Sequence, residues 1–490
     1  MMGMSDYELK RAVAMWGIAL CLFAAASGWI FMRFGMAWSV ADLPPSSNID
    51  RIVPAYIIAE VAMIPLGGKL IDMFGTRRML PYGPFFFIIG SMLCMLSISV
   101  EMLILFRVIQ GIGGGLILAL AFTSVGKYYE SKKRGKCHEL MTASFAFGSL
   151  FGTAVGYFFT SNFNWRMGFV VLSVLTYIGF MLAWRYLPEQ TSEKVDSNPA
   201  SMLFVTLLFG FAALYTQMVN VDFDLISWPS IIIVIIIILL LITTMKNAWR
   251  CHGPVIPVWI TWFEKRLIIL MFMFSLCGLG LIQYFFKLYL MHYDFDIYKA
   301  SFMFVFLILG AAGPSILGSR LVFKNGIRPW VTVGAVLVTI SLVAAHFLID
   351  QGETQFAITL FVFGFGLGCI VTEILCSLQA VVPKRDMGQH TGNLMAVRMI
   401  GILVGNAIVG SYIANVTRAN HVATVVDLNT TYSILVDILA GFANNITYAS
   451  QSLSSGLLAV LLAMAVATAV LAVVAFRLGK DDIEAENSEE

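Results

Sequence analysis

The stretch Ile231-Ile-Ile-Val-Ile-Ile-Ile-Ile-Leu-Leu-Leu-Ile242 contains no polar side chain, and it decides the class of this protein. A helix that crosses a bilayer needs about 20 mainly apolar residues, and similar stretches recur along the 490-residue chain. Of all residues, 59% are hydrophobic and 12% are charged, whereas soluble domains carry about 25% charged residues. The composition therefore predicts an integral membrane protein.

The apolar stretches are long and continuous, which favours helices over a membrane-spanning barrel. They predict an all-α protein with about fourteen transmembrane helices. The approximate bounds are 12–32, 52–68, 79–98, 102–124, 138–160, 167–187, 200–219, 228–245, 267–290, 299–318, 329–348, 355–381, 387–412 and 455–477. Most of the 31 Lys and Arg residues fall at the termini and in loops on the same side as the N-terminus. The positive-inside rule therefore places both termini in the cytoplasm.

The polar segment 188–199 follows the sixth predicted span and suits a hinge between two halves of the chain. Residues 1–187 form the N-terminal bundle, and 188–265 form a cytoplasmic linker with the two additional helices. Residues 266–480 form the C-terminal bundle, which includes a long external loop at 413–454. This loop carries glycosylation-type triplets at Asn415, Asn429 and Asn445. Residues 481–490 form an acidic cytoplasmic tail, and no cleavable signal peptide is expected at the N-terminus.

Several classes of function are excluded by what the sequence lacks. The seven cysteines lie mostly inside apolar stretches, and none has metal-ligand spacing, so we expect no metal and no cofactor. No nucleophile–base pair points to an enzyme. The glycine-rich run at 111–115 is not followed by Gly-Lys-Ser/Thr, which argues against nucleotide binding and an ATP-driven pump. No basic domain exists for binding nucleic acid.

The stretch Gly67-Gly-Lys-Leu-Ile-Asp-Met-Phe-Gly-Thr-Arg-Arg78 follows the second span. Its glycines suit a tight turn between helices, and its aspartate can cap the following helix or pair with the arginines. Such a contact would hold one conformation closed and would have to break when the protein opens. The predicted conformational latch comprises Gly68, Asp72, Gly75, Arg77 and Arg78.

This stretch resembles the loop signature of the major facilitator superfamily. The resemblance continues in the runs 107–115 and 148–156, and it covers nearly the whole chain. Fourteen spans with two between the halves resemble the drug:proton antiporter branch. This resemblance implies two pseudo-symmetric six-helix bundles plus two additional helices, and transport by alternating access. Two positions depart from that branch, which usually has aspartate in place of Gly35 and proline in place of Thr153.

An ionisable side chain deep in a span is costly, so it is a candidate for function. Glu60 lies about nine residues from both Arg51 and Lys69, which is roughly 14 Å of helix on either side. Tyr56 lies one turn away on the same face. Arg107 shares a face with Gln110, and the family resemblance implies that this arginine is a charge partner.

The second half offers Glu373, on a stripe of small and polar residues, and Arg398, about 13 residues in from Arg385. Low dielectric favours a neutral carboxyl group, and a nearby arginine favours the charged form. We expect Glu60 and Glu373 to titrate protons or pair with the substrate, and Arg398 to bind an anion or carboxylate. The alternative is a static buried ion pair that fixes only helix register.

Glycines recur at helical spacing within several spans, and we expect them to allow close helix packing. They are Gly111, Gly148, Gly152, Gly156, Gly401 and Gly405.

The leading hypothesis is a monomeric secondary transporter in the cell membrane that couples efflux of amphipathic small molecules to protons. The alternative is a symporter or antiporter for one organic anion. A third hypothesis is a transport-dead sensor or scaffold with the same fold. Retention of Asp72, Arg77, Arg107 and Gly111 argues against the third.

Overall fold

The computed structural model describes residues 6–44, 46, 48–162, 164–189, 195–196, 198–219, 227–250, 254–256, 262–278, 285, 303, 305–311, 313–314, 327–348 and 351–419. Within these ranges the first half of the chain contains α1 (Asp6–Asp42), α2 (Ile52–Phe74), α3 (Thr76–Met79), α4 (Tyr82–Met95), α5 (Val100–Tyr128), α6 (Ser131–Asn162) and α7 (Arg166–Tyr186). Next come α8 (Pro199–Met218) and α9 (Trp228–Arg250). The second half contains α10 (Trp262–Cys277), α11 (Ile327–Leu348), α12 (Glu353–Val381) and α13 (Met387–Ala419), and residues 305–311 are helical as well.

The helical class and the order of the helices agree with the prediction over the described ranges. Within the described residues, eight helical segments are long and apolar enough to cross a membrane, and one of these comprises α3 and α4 together. The predicted span 455–477, the tail 481–490 and most of the loop 413–454 lie outside the described residues, including Asn429 and Asn445.

One predicted boundary is wrong. Helix α13 continues to Ala419, so residues 413–419, including Asn415, are helical and not part of a loop. Hydropathy marks where the apolar segment ends, whereas a helix can continue past that point with its backbone hydrogen bonds intact.

Local sequence signals define several helix ends. Ser99 caps α5 by accepting a hydrogen bond from the Met102 backbone N–H at 3.2 Å. Asn198 caps α8 in the same way, and Pro199 occupies the first turn. Gly75 separates α2 from α3 with φ of 88°, a left-handed backbone that favours glycine. The signature glycine is therefore required for the turn between the second and third predicted spans.

The first half packs around pairs of closely approaching helices. Helix α1 lies along α6 and α7, α2 lies along α5, and α4 lies along α5 and α7. A Cβ atom at Gly148 or Gly152 would collide with backbone atoms of α1, at Phe23 and Ser27 respectively. Because glycine has no side chain, the backbones of α1 and α6 can approach this closely, and the positions of glycine determine where they do so.

The second half repeats this mode of packing. Helix α11 lies along α12, α10 lies along α13, and the helical stretch 305–311 contacts α12 at Gly364 and Gly368. The halves meet where α2 and α5 contact α13, and where α6 contacts α12. Helix α8 packs against both α2 and α13, so it touches both halves of the chain. We call the end of the bundle where α2, α5 and α12 finish and α6 and α13 begin the basic end.

Candidate transport site and the contact between the halves

Arg107 of α5 is fully buried inside the first half. Its guanidinium donates hydrogen bonds to the carbonyl oxygen of Gly28 at 3.1 Å and of Ile52 at 3.4 Å. It also donates to Gln110 Oε1 at 2.6 Å, and the Gln110 amide donates to Ser91 Oγ at 2.7 Å. Arg107 and Gln110, which share a predicted face, therefore form one polar network among α1, α2, α4 and α5.

Tyr56 and Glu60 of α2 extend this cluster. Tyr56 donates to the Ala25 carbonyl oxygen at 3.0 Å, and the Arg107 guanidinium carbon lies 4.4 Å from the centre of the Tyr56 ring. Glu60 is 1% exposed, and its Oε2 atom has no hydrogen-bond partner among the described residues. A Cβ atom at Gly114 would meet the Tyr56 hydroxyl and lie 3.4 Å from Glu60 Oε1. The glycine run of α5 therefore makes room for both polar side chains.

Glu373 of α12 is also 1% exposed, and its Oε2 atom has no hydrogen-bond partner in the described part of the chain. It interacts electrostatically with Glu139 of α6, whose Oε1 atom is likewise without a partner. Glu139 was not among the predicted site residues. The position of Glu139 inside the predicted span 138–160 could have identified it as a candidate. The nearby Lys136, however, makes this part of the sequence resemble the membrane interface. Each half thus places one of these two buried carboxyl groups at the contact.

Arg398 of α13 is buried, with 8% of its surface exposed. Its Nη1 atom lies 4.0 Å from Met395 Sδ, and its guanidinium lies 6.0 Å from the centre of the Phe145 ring of α6. No hydrogen bond or ion pair within the described ranges joins Glu60, Glu373 and Arg398 to one another. The predicted candidates are therefore buried, but they occupy separate environments.

The sequence offered Asp72 two roles, as a cap of the following helix or as a partner of Arg77 and Arg78, and the structure shows other partners. Asp72 Oδ1 forms an ion pair with Lys127 of α5 at 2.7 Å. Its two carboxylate oxygens also accept hydrogen bonds from the backbone N–H groups of Gly388 at 2.8 Å and Gln389 at 2.6 Å. A carboxylate at the N-terminus of a helix is favoured by the free N–H groups and by the helix dipole. Asp72 therefore ties the first half to the start of α13.

Arg77 has a different role from the one predicted. It donates to the Leu187 carbonyl oxygen, lies 3.7 Å from Glu189 and stacks near the Trp184 ring at 5.6 Å. These contacts attach α3 to the end of α7, within the first half. Arg78 is exposed.

Glycines allow α2 and α13 to cross at the basic end. A Cβ atom at Gly68 would collide with the carbonyl group of Gly388, and one at Gly388 would collide with the Gly68 carbonyl oxygen. Gly392 continues this face of α13, where Gly68 Cα lies 3.2 Å from the position that a Cβ would take. Only glycine permits this approach at the crossing point.

Gln379 makes a second link between the halves, which the sequence did not reveal. Its Oε1 atom lies 2.8 Å from His138 Nε2 of α6, and its amide donates to the Phe122 carbonyl oxygen at 3.2 Å and to Thr391 Oγ1 at 3.1 Å. Arg134 of α6 donates to the Gln379 carbonyl oxygen. Helices α5 and α6 are thereby bound to α12 and α13.

The segment 254–256, between α9 and α10, is bound to both halves. The Val255 N–H donates to Ser201 Oγ of α8 at 3.0 Å, and its carbonyl oxygen accepts from Asn393 of α13 at 2.8 Å. Lys69 of α2 donates to the Pro254 carbonyl oxygen at 3.5 Å. The linker between the additional helices and the second half is therefore part of the contact at the basic end.

The remaining predicted glycines lie in packed positions. A Cβ atom at Gly111 would collide with the Tyr56 carbonyl oxygen of α2, and one at Gly401 would lie 2.7 Å from the Phe272 carbonyl oxygen of α10. Gly156 and Gly405 are buried in α6 and α13. The side chain of Thr153 and the surroundings of Gly35 are outside the described part of the structure.

Comparisons with known proteins agree with this geometry. The family model described as Major Facilitator Superfamily matches residues 12–406. Multidrug resistance protein 3 of Bacillus subtilis (strain 168) is 25% identical over 409 residues, which cover 82% of this chain and 79% of the relative. Riboflavin transporter RibZ of Clostridioides difficile (strain 630) is 24% identical over 401 residues, covering 76% of this chain and 82% of RibZ.

A solved structure shares the fold. The crystal structure of the human organic anion transporter MFSD10 (TETRAN) superposes with a TM-score of 0.66 at 13% identity, covering 96% of this chain and 100% of that chain. At this level of identity the similarity concerns the fold alone.

Proposed function

This chain belongs to the Major Facilitator Superfamily, and from that premise we propose that it exports amphipathic small molecules in exchange for protons. The transporter class follows from the family. Export of several substrates is supported by the similarity to a multidrug resistance protein over most of both chains.

One observation carries the proposal of proton coupling. Each half holds a buried glutamate, Glu60 or Glu373, with a carboxylate oxygen that has no hydrogen-bond partner among the described residues. An ionised carboxylate without partners is unstable in a dry interior, so burial favours the protonated form, and opening to water favours release of the proton. A carboxyl group that is dry in one conformation and wet in another couples proton binding to the change of conformation.

The contacts at the basic end support alternating access. Asp72, Gly68 and Gln379 hold the two halves together at this end. If the basic end is cytoplasmic, as the distribution of Lys and Arg indicates, this conformation is closed towards the cytoplasm. Opening on that side requires Asp72 to leave the N-terminus of α13. We accordingly assign the protein to the cell membrane, with both termini in the cytoplasm, and expect it to act as a monomer.

A second candidate function is favoured by Arg398. A buried guanidinium attracts anions, and one relative is named for the transport of a single compound, riboflavin. This alternative is a symporter or antiporter for one organic anion.

The proposal is tested by reconstituting the full chain into liposomes and imposing a pH gradient. Rhodamine 123, a cationic dye, and carboxyfluorescein, an anionic dye with the same three-ring core, are compared as substrates. We expect dye movement to follow the imposed gradient and to stop when an ionophore collapses it. Movement that is insensitive to the gradient would contradict proton coupling, and movement of one anion alone would select the second candidate.

A further inference from the structure

The described residues around Arg398 offer few hydrogen-bond acceptors to its guanidinium group. The side chain is more than nine-tenths buried, and its Nε donor has no hydrogen-bond partner among the described residues. Its contact with Met395 is a 4.0 Å approach to a thioether sulfur, which is a weak acceptor. No carboxylate in the described part of the chain pairs with this guanidinium, and a charged group removed from water without a paired anion is costly.

The residues around Arg398 add a second unsatisfied donor. The Phe145 ring lies 6.0 Å from the guanidinium carbon, and the Trp29 ring lies 5.7 Å from the Phe145 ring at an angle of 49°. Trp29 is 7% exposed, and its indole Nε1–H has no hydrogen-bond partner within the described residues. A buried indole N–H normally has a partner. Trp29 and Arg398, which each carry a donor without a partner among the described residues, are therefore both neighbours of the Phe145 ring.

We propose that Trp29, Phe145 and Arg398 form a binding site for an amphipathic organic anion that carries an aromatic ring. Its carboxylate or sulfonate group accepts hydrogen bonds from the Arg398 guanidinium, whose planar fork suits such oxyanions. Its ring stacks on Phe145, and the Trp29 N–H donates to a polar atom of the ligand.

The site is divided between the two halves. Trp29 of α1 and Phe145 of α6 belong to the first half, whereas Arg398 of α13 belongs to the second. The binding site is complete only when α6 and α13 are in contact, so a bound anion stabilises the conformation described here. This inference rests on the proposed transport function, and it names the class of compound that Trp29, Phe145 and Arg398 select.

The experiment measures binding without transport. Purified full-length protein in phosphatidylcholine nanodiscs is titrated with carboxyfluorescein and with rhodamine 123, and fluorescence anisotropy reports the dissociation constants. We expect Arg398→Gln to weaken carboxyfluorescein binding by about tenfold or more, because a charge-assisted hydrogen bond is lost. Rhodamine 123 binding should not weaken. Arg398→Lys should show an intermediate loss, and Trp29→Phe should show a smaller loss.

Matched controls separate the site from general effects of charge and of tryptophan. Arg385→Gln removes an exposed arginine, and Trp228→Phe removes an indole N–H that is 80% exposed. Both should bind carboxyfluorescein like the wild type. If Arg398→Gln does not fold, as judged by size-exclusion chromatography, Arg398→Lys and Trp29→Phe carry the test.

Three results would overturn the proposal. In the first, the wild type does not bind carboxyfluorescein. In the second, the Arg398 and Trp29 variants bind it with the affinity of the wild type. In the third, Arg385→Gln weakens binding as much as Arg398→Gln does. Nanodiscs with phosphatidylglycerol test whether the anion is a lipid head group. If phosphatidylglycerol displaces the dye from the wild type but not from the Arg398 variants, the site binds a lipid head group and not a transported compound. Because no gradient is applied, failure of proton coupling in liposomes leaves this binding result unaffected.

Discussion

A carboxyl group inside a membrane protein is stable when it is neutral, or when it is charged and fully paired. Glu60 lies beside the Arg107–Tyr56 cluster, whereas Glu373 lies near a second carboxyl group, that of Glu139. The two glutamates therefore experience opposite electrostatic influences, attraction to a cation in the first half and repulsion from a like charge at the contact with the second.

We predict that Glu60→Gln and Glu373→Gln each reduce gradient-driven dye transport to near background. Glutamine keeps the size of the side chain but cannot bind or release a proton, so exchange of substrate across the liposome membrane without a gradient should persist. Uptake in liposomes, with and without an imposed pH gradient, measures both activities.

The matched control is Glu101→Gln, which removes an exposed carboxylate at the start of α5. This variant should transport like the wild type. Full gradient-driven activity in both Glu60→Gln and Glu373→Gln would show that neither carboxyl group carries the coupled proton.

Asp72 accepts two backbone hydrogen bonds from the start of α13, across the contact between the halves. We predict that Asp72→Asn shifts the protein towards a conformation open at the basic end, because the N–H groups at the start of α13 lose an anionic acceptor. Hydrogen bonds to charged groups contribute about 1.5–3 kcal/mol each, so the change in population should be large. Spin labels at positions 130 and 385, in a background without the native cysteines, report the separation by electron paramagnetic resonance.

The control for this prediction lies at the opposite end of the bundle. Asp42 pairs with Arg166 at 3.1 Å and accepts a hydrogen bond from Trp165 at 3.2 Å. Asp42→Asn should leave the distances at the basic end unchanged. An identical distance distribution in wild type and Asp72→Asn would argue against a latch at this residue.

At the scale of elements, the crossing of α2 and α13 depends on glycine backbones. We predict that Gly388→Ala prevents closure of the basic end and slows transport, because the new methyl group would collide with the Gly68 carbonyl oxygen and lie 2.7 Å from Asp72 Oδ1. These neighbours belong to a helix backbone and an ion pair, so they cannot move aside at low cost. Transport assays and the same spin-label distances measure the effect.

Gly210→Ala of α8 is the matched control. The nearest atom to its added methyl group would be Ala62 Cβ at 3.4 Å, an ordinary van der Waals contact. This variant should close and transport normally. If Gly388→Ala behaves like Gly210→Ala, the close crossing is not needed for closure.

At the scale of the whole molecule, alternating access requires the contact between the halves to break in each cycle. A Cβ atom at Gly126 of α5 would lie 2.8 Å from Met387 Cγ of α13, so paired cysteines at these positions are placed for a disulfide. We predict that oxidation of Gly126→Cys/Met387→Cys stops transport and that reduction restores it. The single variants, treated with the same oxidant, should remain active.

Mass spectrometry of the digested protein shows whether the cross-link has formed. Transport that continues at the wild-type rate with the cross-link in place would exclude opening at the basic end as a step of the cycle. The same result would remove the role assigned to Asp72.

The sequence was informative about properties that depend on local composition. Apolar stretches such as 231–242 predicted the membrane class, and the helices of the first half occur at the predicted places. The turn between α2 and α3 was predictable from Gly75, because a positive φ is a local property of the chain that favours glycine. The glycine and arginine signatures also identified the family correctly.

Contacts between the halves could not be predicted, because they join residues far apart in the chain. Asp72 has arginines nearby in sequence, yet its partners are Lys127, Gly388 and Gln389. Gln379 has no distinctive neighbours in sequence, yet it receives polar contacts from three other helices.

By itself, then, the sequence determined the membrane class of this protein, the order of its helices, its family and the burial of Glu60, Glu373 and Arg398 inside helices. These follow from hydropathy and short-range geometry, which act within a few residues. The tertiary structure alone decided which of those groups meet. The relative register of two packed helices depends on how their side chains and glycines fit together, and that fit sets Glu139 near Glu373 and leaves Trp29 and Arg398 around one aromatic ring.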